Sequence, residues 1–121
     1  MNDLIISNCI EPKYKYIAIF TNLDNDRNLS VHIANLDIES EEGYSGNWII
    51  AQSRTFQKVL LYIRKEGQNK IYLGDYSNRE NIEERRSRIY FKNLKFIGIT
   101  NLHWGDFTGS SNAQSPIRYF G

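Results

Sequence analysis

The chain is poor in the residues that chemistry needs in groups. It has a single cysteine, Cys9, which excludes an internal disulfide; in the apolar run Leu4 to Ile10 it reads as a small buried hydrophobe. Histidine occurs only at positions 32 and 103, and without a second cysteine no set of metal ligands falls at a recognisable spacing. No apolar run approaches the ~18 residues of a membrane span. The opening MNDLIISNCIEPK has neither a basic n-region nor a long apolar h-region. A soluble, cytoplasmic protein with no membrane partner is therefore expected. The chain also lacks GxSxG, a P-loop and GxGxxG, so serine-hydrolase, nucleotide-phosphate and dinucleotide templates all fail and no cofactor is implied.

What is present is strand. In Lys58 to Arg64 both alternating sets are apolar, Val59, Leu61 and Ile63 against Leu60 and Tyr62. Ile71 to Tyr76 repeats the pattern with Ile71 and Leu73 against Tyr72 and Tyr76. Strands apolar on both faces are central strands, and Glu66 to Asn69 supplies turn residues between them. The same stretch also fits a helix, with Phe56, Val59, Leu60 and Ile63 at helical spacing, Ser53 as N-cap and Gly67 as terminator. The hairpin is preferred because the unbroken run Val59 to Ile63 would burden a helix on more than one side.

Taken in order, Leu4 to Ile10 alternates and ends at Pro12, a first strand. Tyr14 to Phe20 is a second, TNLDNDRN a turn-rich loop, and Leu29 to Asn35 a third strand with one solvated face. Asp24 and Asp26 have the spacing that begins a calcium loop, but Leu29 and Asn35 stand where that loop needs Gly and Glu. Asp37 to Gly46 reads as an exposed acidic loop, followed by a strand at Trp48 to Ile50. SNRENIEERRSR reads as a polar loop with at most a turn or two of helix. Arg88 to Lys92 and Lys95 to Thr100 are strands broken or bulged at Asn93 and Leu94. A Gly-, Ser- and Asn-rich tail follows, and Ile117 to Phe120 closes the sheet. At 121 residues this is one domain, residues 1–121, all-β with room for one short helix, and a compact seven- to eight-strand barrel is the expected form.

Net charge divides along the chain. Up to Ile50 there are 3 basic and 8 acidic residues, and from Ala51 onward 12 basic and 6 acidic. Such asymmetry suits an acidic partner for the basic part, although two halves interleaved in one barrel would also give a simply mixed surface. Arg54, Lys58, Arg79, Arg85, Arg86, Arg88, Lys92, Lys95 and Arg118 are candidate phosphate contacts. Tyr44, Trp48, Tyr76, Trp104 and Phe107 lie in or beside loops, where aromatic rings stack on bases. Trp48 and Trp104 read equally as core. For catalysis, the nearest carboxylate and lysine grouping is Asp75 with Glu66 and Lys70, which straddle a turn.

The succession GYSGNW, AQSRT, KVLLYIRKEG, KIYLGDY and RIYFKNL resembles the small PUA-like β-barrel modules attached to restriction-type helicases and HNH nucleases. The resemblance spans about residues 43 to 94. It implies a barrel that reads DNA, in several cases a modified base in an aromatic pocket, with Trp48, Gln52, Ser53, Arg54 and Tyr76 near the reading surface. The expectation is a non-catalytic DNA-binding module in a restriction or defence setting, with Trp48, Gln52, Ser53, Arg54, Tyr76, Arg79, Arg85, Arg86 and Trp104 on the nucleic acid. The rival expectation is a phage-type or mobile-element inhibitor that docks on a bacterial defence nuclease through Asp37, Glu39, Glu41 and Glu42. A small metal-dependent nuclease ranks third.

Overall fold

A computed structural model describes residues 4–24, 35–51, 53–109 and 115–121. Its strands are β1 (Tyr16–Asn22), β2 (Asn35–Glu39), β3 (Glu42–Ile49), β4 (Lys58–Lys65), β5 (Gln68–Glu83), β6 (Arg86–Thr100) and β7 (Ile117–Phe120). A 3₁₀ turn at Ile6–Asn8 and a five-residue helix, α1 (Trp104–Thr108), complete the described elements. The strands form one sheet in the order β2-β3-β6-β5-β4-β1-β7. Only β1 and β4 run parallel; every other neighbouring pair is antiparallel. The all-β expectation holds, but β2 and β7 end the sheet and do not pair with each other, so the barrel is not closed.

The apolar pattern of β4 organises the packing. It lies between β1 and β5, and Val59 to Ile63 are all buried. Val59, Leu61 and Ile63 join Ile17 and Ile19 of β1 in one core. Trp48, Ile89 and Phe91, from the far end of the sheet, belong to that same core, so the sheet coils over its own concave face. Leu60 and Tyr62 point the other way, with Ala18 and Ile71, and are covered by Ile6, Trp104 and Phe107. Each large side chain buried this way contributes about 1.5–3 kcal/mol relative to exposure.

The β4–β5 connection is a two-residue turn with both residues at positive φ, Glu66 at 55° and Gly67 at 75°. That backbone matches the right-handed twist of the flanking strands. The Asp24 carboxylate fastens it by accepting from the main-chain N–H groups of Glu66 and Gly67. The helical alternative for this stretch is not adopted. The expected interruption near Asn93 is a one-residue bulge, since Leu73 faces Lys95 while Asp75 faces Lys92, and Asn93 has φ 54°.

Four local expectations are corrected. Leu4 to Ile10 is not a strand; Ile6, Cys9 and Ile10, at i, i+3 and i+4, turn their side chains onto the second core. Asp37 to Gly46 is not a loop but most of the β2–β3 hairpin, turning at Ser40 and Glu41 with φ 51° and 70°. Its acidity marks exposure, which a hairpin satisfies as well as a loop. Residues 77–83 and 86–88 are also strand, because β5 and β6 stay paired out to Glu83 and Arg86 and turn at Glu84 and Arg85. The tail holds α1, whose Trp104 and Phe107 are buried. The strand expected over Leu29 to Asn35 falls largely on residues 25–34, outside those described.

Leu61→Ala, at a fully buried position, is expected to cost about 2–5 kcal/mol in denaturant unfolding followed by far-UV circular dichroism. Lys65→Ala, exposed at the end of the same strand, should stay within about 0.5 kcal/mol.

Candidate nucleic-acid interface

The candidate site is built around the place where β3 ends. Ile50 is buried and its N–H donates to the Arg85 carbonyl at 3.4 Å, so the tip of the β5–β6 arm lies against it. Arg79, on β5, faces inward; its Nε donates to Ser87 Oγ, and its two Nη atoms donate to the carbonyls of Ala51 and Ile50, each at 3.0 Å. Main-chain carbonyls at a strand end that leave the ladder take such donors. Arg79 therefore acts as a clamp on the strand end. Arg86 Nη1 donates to the Asn47 carbonyl at 3.1 Å. Ala51 N–H donates to the Tyr119 hydroxyl at 3.1 Å, which ties the loop to β7.

Beyond the clamp the loop is exposed at Ser53, Arg54 and Thr55. The Arg54 guanidinium lies 4.5 Å from the centroid of the Tyr119 ring, a cation–π contact. Tyr119 also stacks on Phe56, at 5.7 Å and an interplanar angle of 1°, and Phe56 meets Tyr76 edge-on at 5.9 Å. Thus Ser53, Arg54, Tyr76, Arg79, Arg85 and Arg86, drawn from separate parts of the sequence, converge at one end of the sheet. They do not play equal parts. Arg79 and Arg86 spend their guanidinium groups on main-chain carbonyls, whereas Arg54 and Arg85 have no side-chain hydrogen bond among the described residues. Gln52 lies outside the described residues.

The two tryptophans are not at this surface. Trp48 is 5% exposed in the concave core, its indole N–H donating to Ser45 Oγ at 2.9 Å. Trp104 is 6% exposed in the other core, donating to the Ser115 carbonyl at 2.8 Å and stacked on Phe20 at 5.7 Å. Stacking of a base on either would require local opening. The aromatic that does flank the exposed arginine is Tyr119, which sequence reasoning missed. Its signal was its place two residues after Ile117, on the same face, but nothing local reveals that β7 lies beside β1.

A second charged region forms on the β2–β3 hairpin. Asp37, Glu39, Glu41 and Glu42 are all exposed, and Glu39 faces Glu42 directly across the hairpin. A groove of ≈ 530 Å³ runs beside them, lined by Asp37, Glu39, Glu42, Tyr90 and Lys92 among others. Tyr90 donates its hydroxyl to Glu80 at 2.9 Å and packs 5.6 Å from Tyr44, over which the Arg88 guanidinium sits at 4.5 Å.

The carboxylate grouping considered for catalysis is not assembled. Asp75 accepts from Lys58 Nζ at 2.6 Å and from Asn93 Nδ2 at 2.9 Å, while Glu66 lies at the β4–β5 turn, the far end of that hairpin. The Lys58 hydrogen bond, then that from Asn93, holds the Asp75 carboxyl below the usual carboxylate range, and the same bond holds the Lys58 ammonium up. No group of three or more His, Cys, Asp and Glu side chains able to hold a metal occurs among the described residues. Burial pushes the Cys9 thiol up to about 11, away from thiolate chemistry. No described helix is long and apolar enough to cross a membrane. Comparison of the chain with family models, with curated proteins and with solved structures finds no match.

Two outcomes are expected. Acrylamide should quench native tryptophan fluorescence weakly and unfolded fluorescence strongly; strong native quenching would place an indole at the surface. The lowered Asp75 carboxyl stabilises the fold above its unfolded pKa of about 3.9, and that contribution is lost as pH falls through the lower folded value. In urea melts the wild type should lead Asp75→Asn near neutrality, and the gap should narrow below about pH 4. A gap that stays constant would disconnect the pair from the acid sensitivity.

Proposed function

We propose that the chain is a non-catalytic DNA-binding module whose contact surface is the end of the sheet around Ile50 and Ala51. The observation that carries this is the convergence there of Arg54, Arg79, Arg85 and Arg86, basic residues from two connections and both strands of the long arm. Arg85 and Arg54 are the phosphate contacts, while Arg79 and Arg86 hold the surface in shape. Exposed arginine laid on a tyrosine ring offers charge and a stacking edge together, which is what single-stranded or extruded bases use. The resemblance to PUA-like reading modules supports the same role in a restriction or defence setting. In this reading Arg54 and Tyr119, not a tryptophan, face the nucleic acid.

The test is a titration of labelled duplexes, unmodified, methylated and hydroxymethylated, and of a single strand, by fluorescence anisotropy at low and physiological salt. Binding should weaken with salt. Arg85→Ala with Arg86→Ala should reduce the log–log salt slope, by about 1 for each phosphate contact removed. Absence of binding even at low salt would overturn the proposal.

A second reading is favoured by one observation, the direct opposition of Glu39 and Glu42 beside the acidic groove. Like charges facing each other across a hairpin are destabilising. A basic partner surface would relieve that cost, as in an inhibitor that occupies the nucleic-acid surface of a defence nuclease. If this reading is right, Glu39→Lys with Glu41→Lys and Glu42→Lys removes inhibition of such a nuclease while leaving the melting curve cooperative. Inhibition retained by that variant rejects it.

A further inference from the structure

The cleft between the loop before β4 and the end of β7 has a lining unlike that of the other grooves. Lys15, Ser53, Arg54, Thr55 and Tyr119 contribute to it, with three further aromatic residues and Gly121, the last residue of the sequence; no Asp or Glu side chain does. By contrast, the groove on the acidic hairpin holds Asp37, Glu39 and Glu42, and the cleft beside Lys58 holds Glu41 and Asp75. Its volume is ≈ 100 Å³. That is well below the ~300 Å³ at which small-molecule sites begin. A nucleobase with its sugar does not fit such a space. A tetrahedral anion does.

The lining is held in place by main-chain bonds rather than by its own charged groups. Lys15 N–H donates to Gln57 Oε1 at 3.0 Å, and the Lys15 carbonyl accepts from the N–H groups of Gln57 at 2.9 Å and Lys58 at 3.1 Å. Arg54 N–H donates to the Ala51 carbonyl at 3.3 Å, and the guanidinium rests on Tyr119. The Lys15 ammonium, the Arg54 guanidinium and the hydroxyls of Ser53 and Thr55 have no hydrogen-bond or ion-pair partner among the described residues. Arg79, Arg86 and Lys58 all have theirs. Two unspent cations and two unspent hydroxyls around a space of this size are the donors that a phosphate group takes up.

We infer that this cleft is a seat for one phosphate group of the bound nucleic acid. The inference rests on the DNA-binding reading and deepens it by assigning Lys15 and Arg54 to one phosphate, whether a strand's terminal monoester or an internal diester. The seat adds Lys15, from the acidic half of the sequence, to a surface otherwise built from the basic half.

The test begins with inorganic phosphate alone, titrated against ¹⁵N-labelled protein and compared with chloride at equal ionic strength. The Arg54 Nε–H resonance and the Ser53 and Thr55 amides should shift saturably with phosphate only. Arg54→Gln and Lys15→Gln should each weaken that response by about tenfold while leaving the rest of the spectrum in place. Oligonucleotides with a 5′-phosphate, a 3′-phosphate or neither then separate the sources. A preference for one phosphorylated end assigns the seat to a strand terminus, and equal binding with a lower salt slope in Arg54→Gln assigns it to the internal backbone. If phosphate moves no cleft resonance beyond chloride, and Arg54→Gln with Lys15→Gln leaves DNA affinity and salt slope unchanged, the seat is refuted and Arg54 with it, while the DNA reading stands on Arg85 alone. If the cleft takes phosphate but no oligonucleotide binds, the DNA reading fails, and with it the assignment of this anion seat to nucleic acid.

Discussion

A strand that is apolar on both faces must be covered twice, and most of this molecule follows from how β4 meets that demand. On one side the cover is the sheet itself, coiled until Trp48, Ile89 and Phe91 reach Ile17, Ile19, Val59 and Leu61. On the other side the described residues offer no second sheet, and a 3₁₀ turn and a five-residue helix serve instead through Ile6, Trp104 and Phe107. These pieces are too short to stand alone. They are held because the apolar face they cover would otherwise meet water. Tyr62 shows how tightly: its hydroxyl, buried beneath α1, donates to the Leu102 carbonyl at 2.6 Å.

The coiling sets the electrostatics. Bringing the end of β3 against the arm leaves main-chain carbonyls there without strand partners, and Arg79 and Arg86 donate to them. Lys58 is drawn in by Asp75 in the same way. The basic excess of the second half is thus partly structural, and counting charges overstates what is free to meet a partner. Of the cations with no hydrogen bond or ion pair among the described residues, Arg54, Arg85 and Lys15 lie at one end of the sheet, while Lys92 and Lys95 line the grooves that also hold Asp37, Glu39, Glu41 and Glu42. The acidic β2–β3 hairpin has Lys92 and Lys95 beside it, so the division of charge along the sequence is only partly a division in space.

Legibility in the sequence followed the apolar signal. The β4–β5 hairpin, the bulge at Asn93 and the closing strand β7 could be read because apolar alternation and turn residues agree there. The outer arm could not, since its inward positions are Arg79, Asn81 and Ser87, linked by hydrogen bonds rather than by apolar contact. A polar ladder carries no hydrophobic period, so it looks like a loop. Leu4 to Ile10 failed for the opposite reason: alternating apolar residues serve a capping turn as well as a strand. At the candidate site, Arg54, Arg79, Arg85 and Arg86 could be named from charge alone. Lys15 and Tyr119 could not, because they join the surface only through the neighbours that the strand order gives β1 and β7.

The one parallel pair in the sheet governs when this order can form. β1 leaves the assembly line early but runs alongside β4, and the Lys15 to Gln57 bond that starts their register spans 42 residues. Until β4 exists, β1 has β7 as its only other ladder partner, and β7 comes last of all. The β4-β5-β6 meander closes through short turns and can organise on its own, whereas docking β1 and then β7 must wait for loop closures whose entropy is repaid late. Lys15 and Tyr119 both arrive in those final steps. The end of the sheet that holds them is therefore completed in two stages, Arg79, Arg85 and Arg86 with the meander and Lys15 and Tyr119 with the strands that dock on it.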